Sequence, residues 1–234
     1  MKAKEIIDEL KTYASTERKK INEWFFKTGP GQYSEHDQFI GVRVPHTRTV
    51  AKKHFNDIAL VQLDQLINHP IHEVRHCGLI MLVNKYQSGD KDQIFNYYLD
   101  NIHAANNWDL VDTTIPHTIG DYLLNHQNKL SILFNFAKSS NLWQRRIAIV
   151  ATYAFIKNNQ FKPTLDIAKL LLNDSHDLIH KATGWMLREI YKKDNEVCKT
   201  FLRQNYAQLP RTTLRYAIER MQEDERLHYL SGEF

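Results

Sequence analysis

The sequence predicts an all-α protein, and three observations support that prediction. The 234-residue chain has only 8 Gly and 6 Pro, so long segments run without the residues that most often interrupt helices. Apolar residues recur with a helical period, and no alternating pattern of comparable length predicts a β-strand. With 42% hydrophobic residues, the chain can bury a substantial core. We therefore expect helices joined by short loops.

The helical period is clear in nine segments, and turn or cap residues separate them. Turn signals fall at residues 68–70, 88–90, 139–141 and 173–175, and Pro210 suits the start of a helix. The predicted helical segments are 3–14, 17–27, 47–58, 74–86, 93–103, 142–156, 165–173, 179–191 and 211–221.

Basic or imidazole side chains recur at one position in this pattern. Arg75, Arg145, His180 and Arg215 are separated by multiples of 35 residues, and the missing position, 110, falls within AANNWDLVDTTIP. A repeat of this length is typical of solenoids built from helical pairs. Each pair would bury its apolar face by stacking on its neighbours, which predicts a curved array with one concave surface.

The charge of the chain permits a polyanionic partner without requiring one. The formal net charge is +4 and the isoelectric point is about 8.9. Basic side chains along a concave surface could follow a phosphate backbone, and the alternative is that they lie on solvated helix faces. The repeat and the charge leave both interpretations open. The candidates for contact with DNA are Arg43, Arg75, Arg145, Arg146, Lys181 and Arg215.

Targeting and cysteine signals predict a cytoplasmic protein without disulfides. The N-terminus lacks a cationic leader followed by an apolar stretch, and no run of about 18 apolar residues occurs in the sequence. Cys77 and Cys198 lie far apart in helical patterns without CxxC spacing, which predicts buried reduced thiols.

Two motifs suggest chemistry that their context does not favour. HEVRH, residues 72–76, matches the zinc-binding HExxH pattern, but residue 82 is Leu where a third histidine would stand, and Arg75 would place a cation near the metal. KTGPGQYSEHD, residues 27–37, lacks the spacing of a phosphate-binding P-loop. This long loop is either a plain connector or a functional loop. We assign no metal and no cofactor.

Trp108 and Asp112 are the most informative pair. They are about one helical turn apart and share a helix face, while Asp109 is expected to be a solvated or structural neighbour. Trp143 precedes a pair of arginines, and Trp185 lies in a further helix. Aromatic rings, a carboxylate and arginines together suggest a site where a sugar or base packs on the rings while phosphates meet cations.

Four segments resemble the signature segments of one family. FIGVRVPHTR, NNWDLVDTTIP, NLWQRRIAI and HKATGWMLREIYK are similar in order and spacing to those of the DNA alkylation repair family, the AlkD-like glycosylases with HEAT-like repeats. The resemblance extends from about residue 20 to residue 221. It implies a single domain over residues 1–234, built as a curved solenoid of HEAT-like antiparallel helix pairs.

The resemblance also implies an activity and a set of residues. The activity is removal of N3- and N7-alkylated purines from duplex DNA, by a monomer, without a metal and without base flipping. Asp112, Trp108 and Trp185 would be the catalytic residues, and Arg146 would bind a phosphate. No Schiff-base lysine is evident, so no lyase activity is expected.

The sequence departs from the family pattern in segment 25–39, which is longer than in the best-known member. The tyrosine that this member carries near its N-terminus has no clear equivalent, and Phe25 or Trp24 is the nearest aromatic residue. Two alternatives stay open: a non-catalytic relative that recognises DNA structure, and a helical-repeat scaffold that binds another protein.

Overall fold

A computed structural model describes residues 1–233, and this part of the chain is all-helical, which confirms the predicted fold class. Its only β-type pairing is an isolated bridge between Gln38 and Ile71. No helix of the described chain is both long and apolar enough to cross a membrane. The contacts fall into two compact units, residues 1–114 and residues from 115 onward. The single domain over residues 1–234 stays a prediction.

The first unit contains seven α-helices and a short 3-10 helix at Ile102–Ala104. The α-helices are α1 (Ala3–Lys11), α2 (Thr16–Phe25), α3 (Val44–His54), α4 (Leu60–Ile67), α5 (His72–Ser88), α6 (Lys91–Asp100) and α7 (Trp108–Thr114).

The second unit contains nine α-helices among its described residues, with 3-10 turns at Ile115–His117, Gln127–Lys129 and Tyr206–Gln208. The α-helices are α8 (Ile119–Asn125), α9 (Ser131–Ala137), α10 (Leu142–Ala151), α11 (Tyr153–Lys157), α12 (Lys162–Leu170), α13 (Asp177–Tyr191), α14 (Asn195–Asn205), α15 (Arg211–Ala217) and α16 (Glu223–Ser231).

The predicted repeat is visible in where five helices begin. Helices α5, α7, α10, α13 and α15 begin at residues 72, 108, 142, 177 and 211, which keeps a spacing close to the predicted 35 residues. The missing repeat position, Leu110, is buried in α7. The repeat therefore marks a recurring helix.

Helix α5 is the central helix of the first unit and packs against α3, α4, α6 and α7. All of its apolar side chains except Ile80 are buried, and they surround the helix instead of forming one apolar face. The first turns also carry four polar side chains into the interior: His72, Glu73, Arg75 and His76. Because buried polar groups must be paired, this end of α5 organises the contacts of neighbouring loops.

Close helix packing in the second unit depends on two glycines. A Cβ on Gly184 of α13 would lie 2.5 Å from the Thr213 carbonyl oxygen of α15, and one on Gly120 of α8 would lie 2.4 Å from the Ala151 carbonyl oxygen. These distances are too short for any side chain. Glycine therefore sets how closely α13 approaches α15.

Both cysteines are free and fully buried, as the sequence predicts. Burial raises the pKa of each thiol, Cys77 and Cys198, to about 12. Both are therefore protonated, unreactive thiols near neutral pH.

Candidate functional site at helix α7

The start of α7 is held by the loop at residues 27–37. Asn107, fully buried, accepts a hydrogen bond from the Trp108 backbone N–H at 2.8 Å through its side-chain oxygen. Its side-chain nitrogen donates to Ser34 Oγ at 2.6 Å and to Asp37 Oδ2 at 3.0 Å. The long loop is therefore a support for α7, which goes beyond the plain connector weighed from the sequence.

The Trp108 ring is fixed by the same loop and by α2. The indole N–H donates to the Tyr33 hydroxyl at 3.2 Å. The Phe26 ring is stacked on the indole with centroids 5.2 Å apart, and the Phe25 ring meets it edge-on at 5.6 Å. Trp108 keeps part of its surface exposed. Its contacts hold the indole in one orientation while leaving room for a ligand.

A chain of buried charges links α5 to the start of α7. The Arg75 guanidinium pairs with Asp37, whose other oxygen lies 3.2 Å from His72 Nδ1. His72 Nε2 lies 2.8 Å from Asp109 Oδ2, and Asp109 Oδ1 accepts the Leu110 backbone N–H at 2.9 Å. The imidazole thus bridges two carboxylates, one from the loop and one from α7.

The pKa values follow from this arrangement. Burial alone lowers the pKa of His72, but the charge of Asp109 and the hydrogen bonds to Asp109 and Asp37 outweigh it and raise the pKa to about 9. Burial opposes ionisation of Asp37, but the His72 hydrogen bond and the Arg75 charge lower its pKa to about 2. Near neutral pH, His72 is therefore an imidazolium that donates to two carboxylates.

Asp109 and His76 complete the buried cluster. The His72 charge and hydrogen bond hold the pKa of Asp109 below its usual value although burial opposes this. Burial lowers the pKa of His76 to about 4, so that ring is neutral. Asp109 is 8% exposed, which makes it a structural residue rather than a solvated neighbour.

Glu73, the glutamate of the HExxH pattern, stabilises a neighbouring loop. Glu73 accepts hydrogen bonds from the backbone N–H groups of residues 40–42, the shortest being 2.8 Å from Gly41, and from the Asn22 side chain. Gly41 has φ +80°, and a Cβ there would meet the Ser15 carbonyl oxygen at 2.1 Å. Glu73 therefore holds a tight loop and is not placed to act as a general base.

Within residues 1–233, one group of three side chains could hold a metal ion. Ligand atoms of His72, His76 and Asp109 lie within 4.8 Å of one another. Both His72 nitrogens already act as donors, to Asp37 and Asp109, so a metal would have to displace a proton from this ring. The arrangement favours a charge network over a metal centre.

Asp112 lies on α7 one turn beyond Trp108, as predicted, and is half-buried. The preceding turn of α7 is held by Asn107 and Asp109. The segment therefore presents an aromatic ring and a carboxylate from one short, well-anchored helix.

The remaining predicted catalytic and phosphate-binding residues lie in the second unit. Trp185 on α13 is half-buried, donates from its indole N–H to Glu189 at 3.2 Å and lies near the Tyr153 ring. Arg146 on α10 is only 5% exposed and donates to the Leu178 carbonyl at 2.6 Å. Trp143 is half-buried at the start of α10.

Two of the predicted DNA contacts instead hold loops in place. Arg75, 5% exposed, donates to the carbonyls of His69 and Pro70 in addition to its pairing with Asp37. Arg145 donates to the carbonyls of Ser139 and Ser140 and lies 2.6 Å from Asp174. Both close the turn that precedes their own helix. These bonds engage the Arg75 guanidinium within the first unit, which favours a structural role over the predicted contact with DNA.

The other predicted cations are accessible. Arg43, at the start of α3, and Arg215, on α15, are exposed. The Lys181 side chain is 41% exposed and pairs with Asp177 one turn earlier. Sequence reasoning missed Tyr33, Asn107 and the charge chain through Asp37 and His72. The unusual length of the 27–37 loop was the one signal that it did more than connect helices.

The described residues are all-helical, and helix α7 presents a supported pair of aromatic and acidic side chains. A model of DNA alkylation repair enzymes matches residues 6–221, and the chain belongs to that family. A DNA repair role, with DNA as the substrate, follows from this membership.

A solved structure from Enterococcus faecalis, described as a predicted DNA alkylation repair enzyme, has a similar fold. The TM-score is 0.72 at 16% sequence identity, over 90% of this chain and 97% of the other. At that identity the likeness supports the fold alone. No protein of curated function matches the chain at a significant level.

Proposed function

We propose that the protein is a monofunctional DNA glycosylase that hydrolyses the N-glycosidic bond of cationic N3- and N7-alkylpurines in duplex DNA. The observation that carries the proposal is the placement of Asp112 one turn beyond Trp108, on a helix whose start is fixed by a buried network. The family membership supports DNA repair as the setting.

The chemistry needs little more than a fixed negative charge. Alkylation makes the purine cationic, so it takes the electrons of the C1′–N bond and leaves as a neutral base. Positive charge then develops on the deoxyribose, where the Asp112 carboxylate would stabilise it. Water adds to C1′ and loses a proton to Asp112 or to solvent. No general acid is required, because the departing base is not protonated further.

The remaining residues would position the substrate. Trp108 and Trp185 would pack against the sugar, and Arg146 would bind a phosphate. The bond from Arg146 to the Leu178 carbonyl would orient its guanidinium, although its 5% exposure makes it the least accessible member. The exposed cations Arg43, Arg215 and Lys181 would add salt-dependent affinity for DNA. The proposal includes the curved HEAT-like solenoid, a monomeric state and a cytoplasmic location.

The test compares Asp112→Asn with the wild-type protein on duplex DNA containing 7-methylguanine. Release of the base should fall by roughly 100-fold or more, the scale for removing one preorganised electrostatic group, while DNA binding is retained. Asp100→Asn, on the exposed end of α6, removes the same charge elsewhere and should release the base at the wild-type rate.

The alternatives predict different outcomes. Equal release by wild type and Asp112→Asn would remove Asp112 from the mechanism. Salt-dependent binding of duplex DNA with no base release by the wild type would favour the non-catalytic DNA-binding relative. Failure to bind duplex DNA even at low salt would favour a protein-binding scaffold.

A further inference from the structure

Three buried side chains at the contact of α5 with α7 carry the donor atoms that a transition metal prefers. His72 and His76 lie one helical turn apart on α5, and Asp109 is on α7. One ligand atom from each residue lies within 4.8 Å of the other two, and each residue is at most 8% exposed. Zn²⁺ in proteins is often bound by imidazoles and a carboxylate, with water as the fourth ligand.

The distances between these donor atoms are close to those around a tetrahedral zinc ion. His72 Nε2 lies 2.8 Å from Asp109 Oδ2, and His76 Nδ1 lies 3.9 Å from the same oxygen. Tetrahedral ligands at about 2.0–2.1 Å from zinc are about 3.3 Å apart, so the two separations lie on either side of the required value. Each would have to change by only about half an ångström to admit the ion.

Each imidazole is already oriented through the nitrogen that does not face Asp109. His72 Nδ1 donates to Asp37 Oδ2 at 3.2 Å. The Thr113 hydroxyl gives its hydrogen to the Asp109 carbonyl at 2.6 Å, so it can only accept from His76 Nε2, 3.2 Å away. Because burial keeps the pKa of His76 low, this ring is neutral, and its Nδ1 offers a lone pair. Metal-binding histidines donate their second N–H in this way, which fixes the ring.

The buried charges around this cluster leave an excess of negative charge. The carboxylates of Asp37, Glu73 and Asp109 face only two cations, the Arg75 guanidinium and the His72 imidazolium. A divalent ion that replaces the Nε2 proton of His72 removes one positive charge and adds two, which neutralises the excess. The Arg75 guanidinium is held by Asp37 and two backbone carbonyls, so it does not compete for Asp109.

A cavity of about 270 Å³ within the first unit gives the cluster an entrance. His72, His76 and Asp109 all line it, so the three ligands border the same space. This volume holds several water molecules, since each occupies about 30 Å³ in the liquid. The exposed Arg18 and Arg43, which also line the cavity, repel a cation, but salt screens exposed charges. A metal ion can therefore reach the ligands and keep one position for water.

We propose that His72, His76 and Asp109 form a binding site for Zn²⁺ that links α5 to α7. Near neutral pH the cluster without zinc is the charge network described above, and zinc takes the place of the proton between His72 and Asp109. Mg²⁺ and Ca²⁺ fit poorly because they prefer oxygen ligands. The site is structural, since Glu73 is bound to the backbone of a neighbouring loop and cannot serve as a general base. The proposal does not rest on the glycosylase activity.

Zinc binding can be measured by titration calorimetry on the full chain after treatment with a chelator. A single Zn²⁺ should bind, at least about 100-fold more tightly than Mg²⁺. His76→Gln removes one ligand but keeps the bond between His72 and Asp109. It should bind Zn²⁺ at least about 100-fold more weakly, because loss of an outer partner alone costs about 10–100-fold. His103→Gln, at an exposed position outside the cavity, is the matched control and should bind like the wild type.

A second measurement uses stability. Excess Zn²⁺ should raise the urea midpoint of the wild type but not that of His76→Gln, because an ion that binds the folded state stabilises it. Absence of saturable Zn²⁺ binding, or unchanged binding by a folded His76→Gln, would overturn the proposal. Equal weakening by His103→Gln would do the same, since the ion would then lie on surface histidines. If His76→Gln does not fold, Thr113→Val removes the acceptor of the His76 N–H and should weaken binding about 10–100-fold, and unchanged binding by it would also refute the site.

Discussion

Arg75 in the first unit and Arg145 in the second stand at equivalent repeat positions. They make the same local hydrogen bonds, but each pairs with a different aspartate. Each donates to two carbonyls, five and six residues earlier, and so closes the turn before its helix. Arg75 pairs with Asp37, from an upstream loop, and Arg145 pairs with Asp174, from a downstream loop. The shared geometry explains why a basic residue recurs here.

The acidic partners make the two regions different. Besides pairing with Arg145, Asp174 accepts the backbone N–H of His176 in its own loop at 2.8 Å. Asp37 continues through His72 to Asp109 on α7. The position equivalent to His72 is Leu142 in the second unit, which has no ionisable group. Through His72, the Arg75–Asp37 pair that closes the turn before α5 is therefore linked to Asp109, which supports the start of α7.

The largest expected difference between the two regions is in stability. Arg75→Ala leaves the buried Asp37 carboxylate without its guanidinium and should lower the free energy of unfolding by about 3–5 kcal/mol. Arg145→Ala should cost only about 1–3 kcal/mol, because the Arg145 side chain is 18% exposed and water can replace part of the bond to Asp174. Urea unfolding of both variants measures this. Equal losses in the free energy of unfolding would show that the network from Asp37 through His72 to Asp109 adds no stability.

The protonated His72 of the first unit should make the stability depend on pH. His72 binds its proton more tightly when folded, so its contribution is complete below its ordinary pKa of 6.5 and is lost as the pH rises through about 9. The loss should be about 3 kcal/mol. Urea midpoints measured from pH 6 to 10 should fall for the wild type and less steeply for His72→Gln.

An exposed histidine provides the control for this titration. His103→Gln should keep the wild-type slope, since that side chain lies outside the network. A His72→Gln variant with the wild-type slope would contradict the assignment of the charged imidazole.

The smallest effect concerns the loop that holds Trp108. Tyr33→Phe removes the hydroxyl that accepts the indole N–H and should cost about 0.5–1.5 kcal/mol of stability. If the proposed function holds, base release should slow by several-fold, because a misplaced side chain costs rate as well as stability. Tyr13→Phe, on an exposed ring that stacks on His46, is the comparison. Identical release rates for the two variants would limit Tyr33 to a packing role.

Most of the long helices and the repeat were predictable because a buried helix needs apolar residues at a regular spacing, but α14 was not among the predicted segments. The turns at residues 68–70, 88–90, 139–141 and 173–175 also match the structure. The short helices α8 and α9, each of seven residues, offered too few turns for a period to be recognised. The predicted helix 142–156 is divided at Thr152, whose hydroxyl bonds to the Ile149 carbonyl.

The candidate site was predictable only in part. Trp108 and Asp112 share one helix, so spacing alone could place them together. Asp37, His72 and Asp109 come from a loop and two helices, and nothing local in the sequence pairs them. Arg75 shows a related limit, because the sequence predicted its position but not its contacts. Its position in the repeat was correct, but a repeated arginine looks the same whether it faces a phosphate or the carbonyls of its own loop.

The two buried thiols make the protein convenient for labelling. Because Cys77 and Cys198 are fully buried and remain protonated, a thiol-directed dye should leave the native chain unmodified. A single cysteine introduced at the exposed His36 would therefore carry the dye alone, one residue from Asp37. Its fluorescence would report how the loop responds when DNA binds.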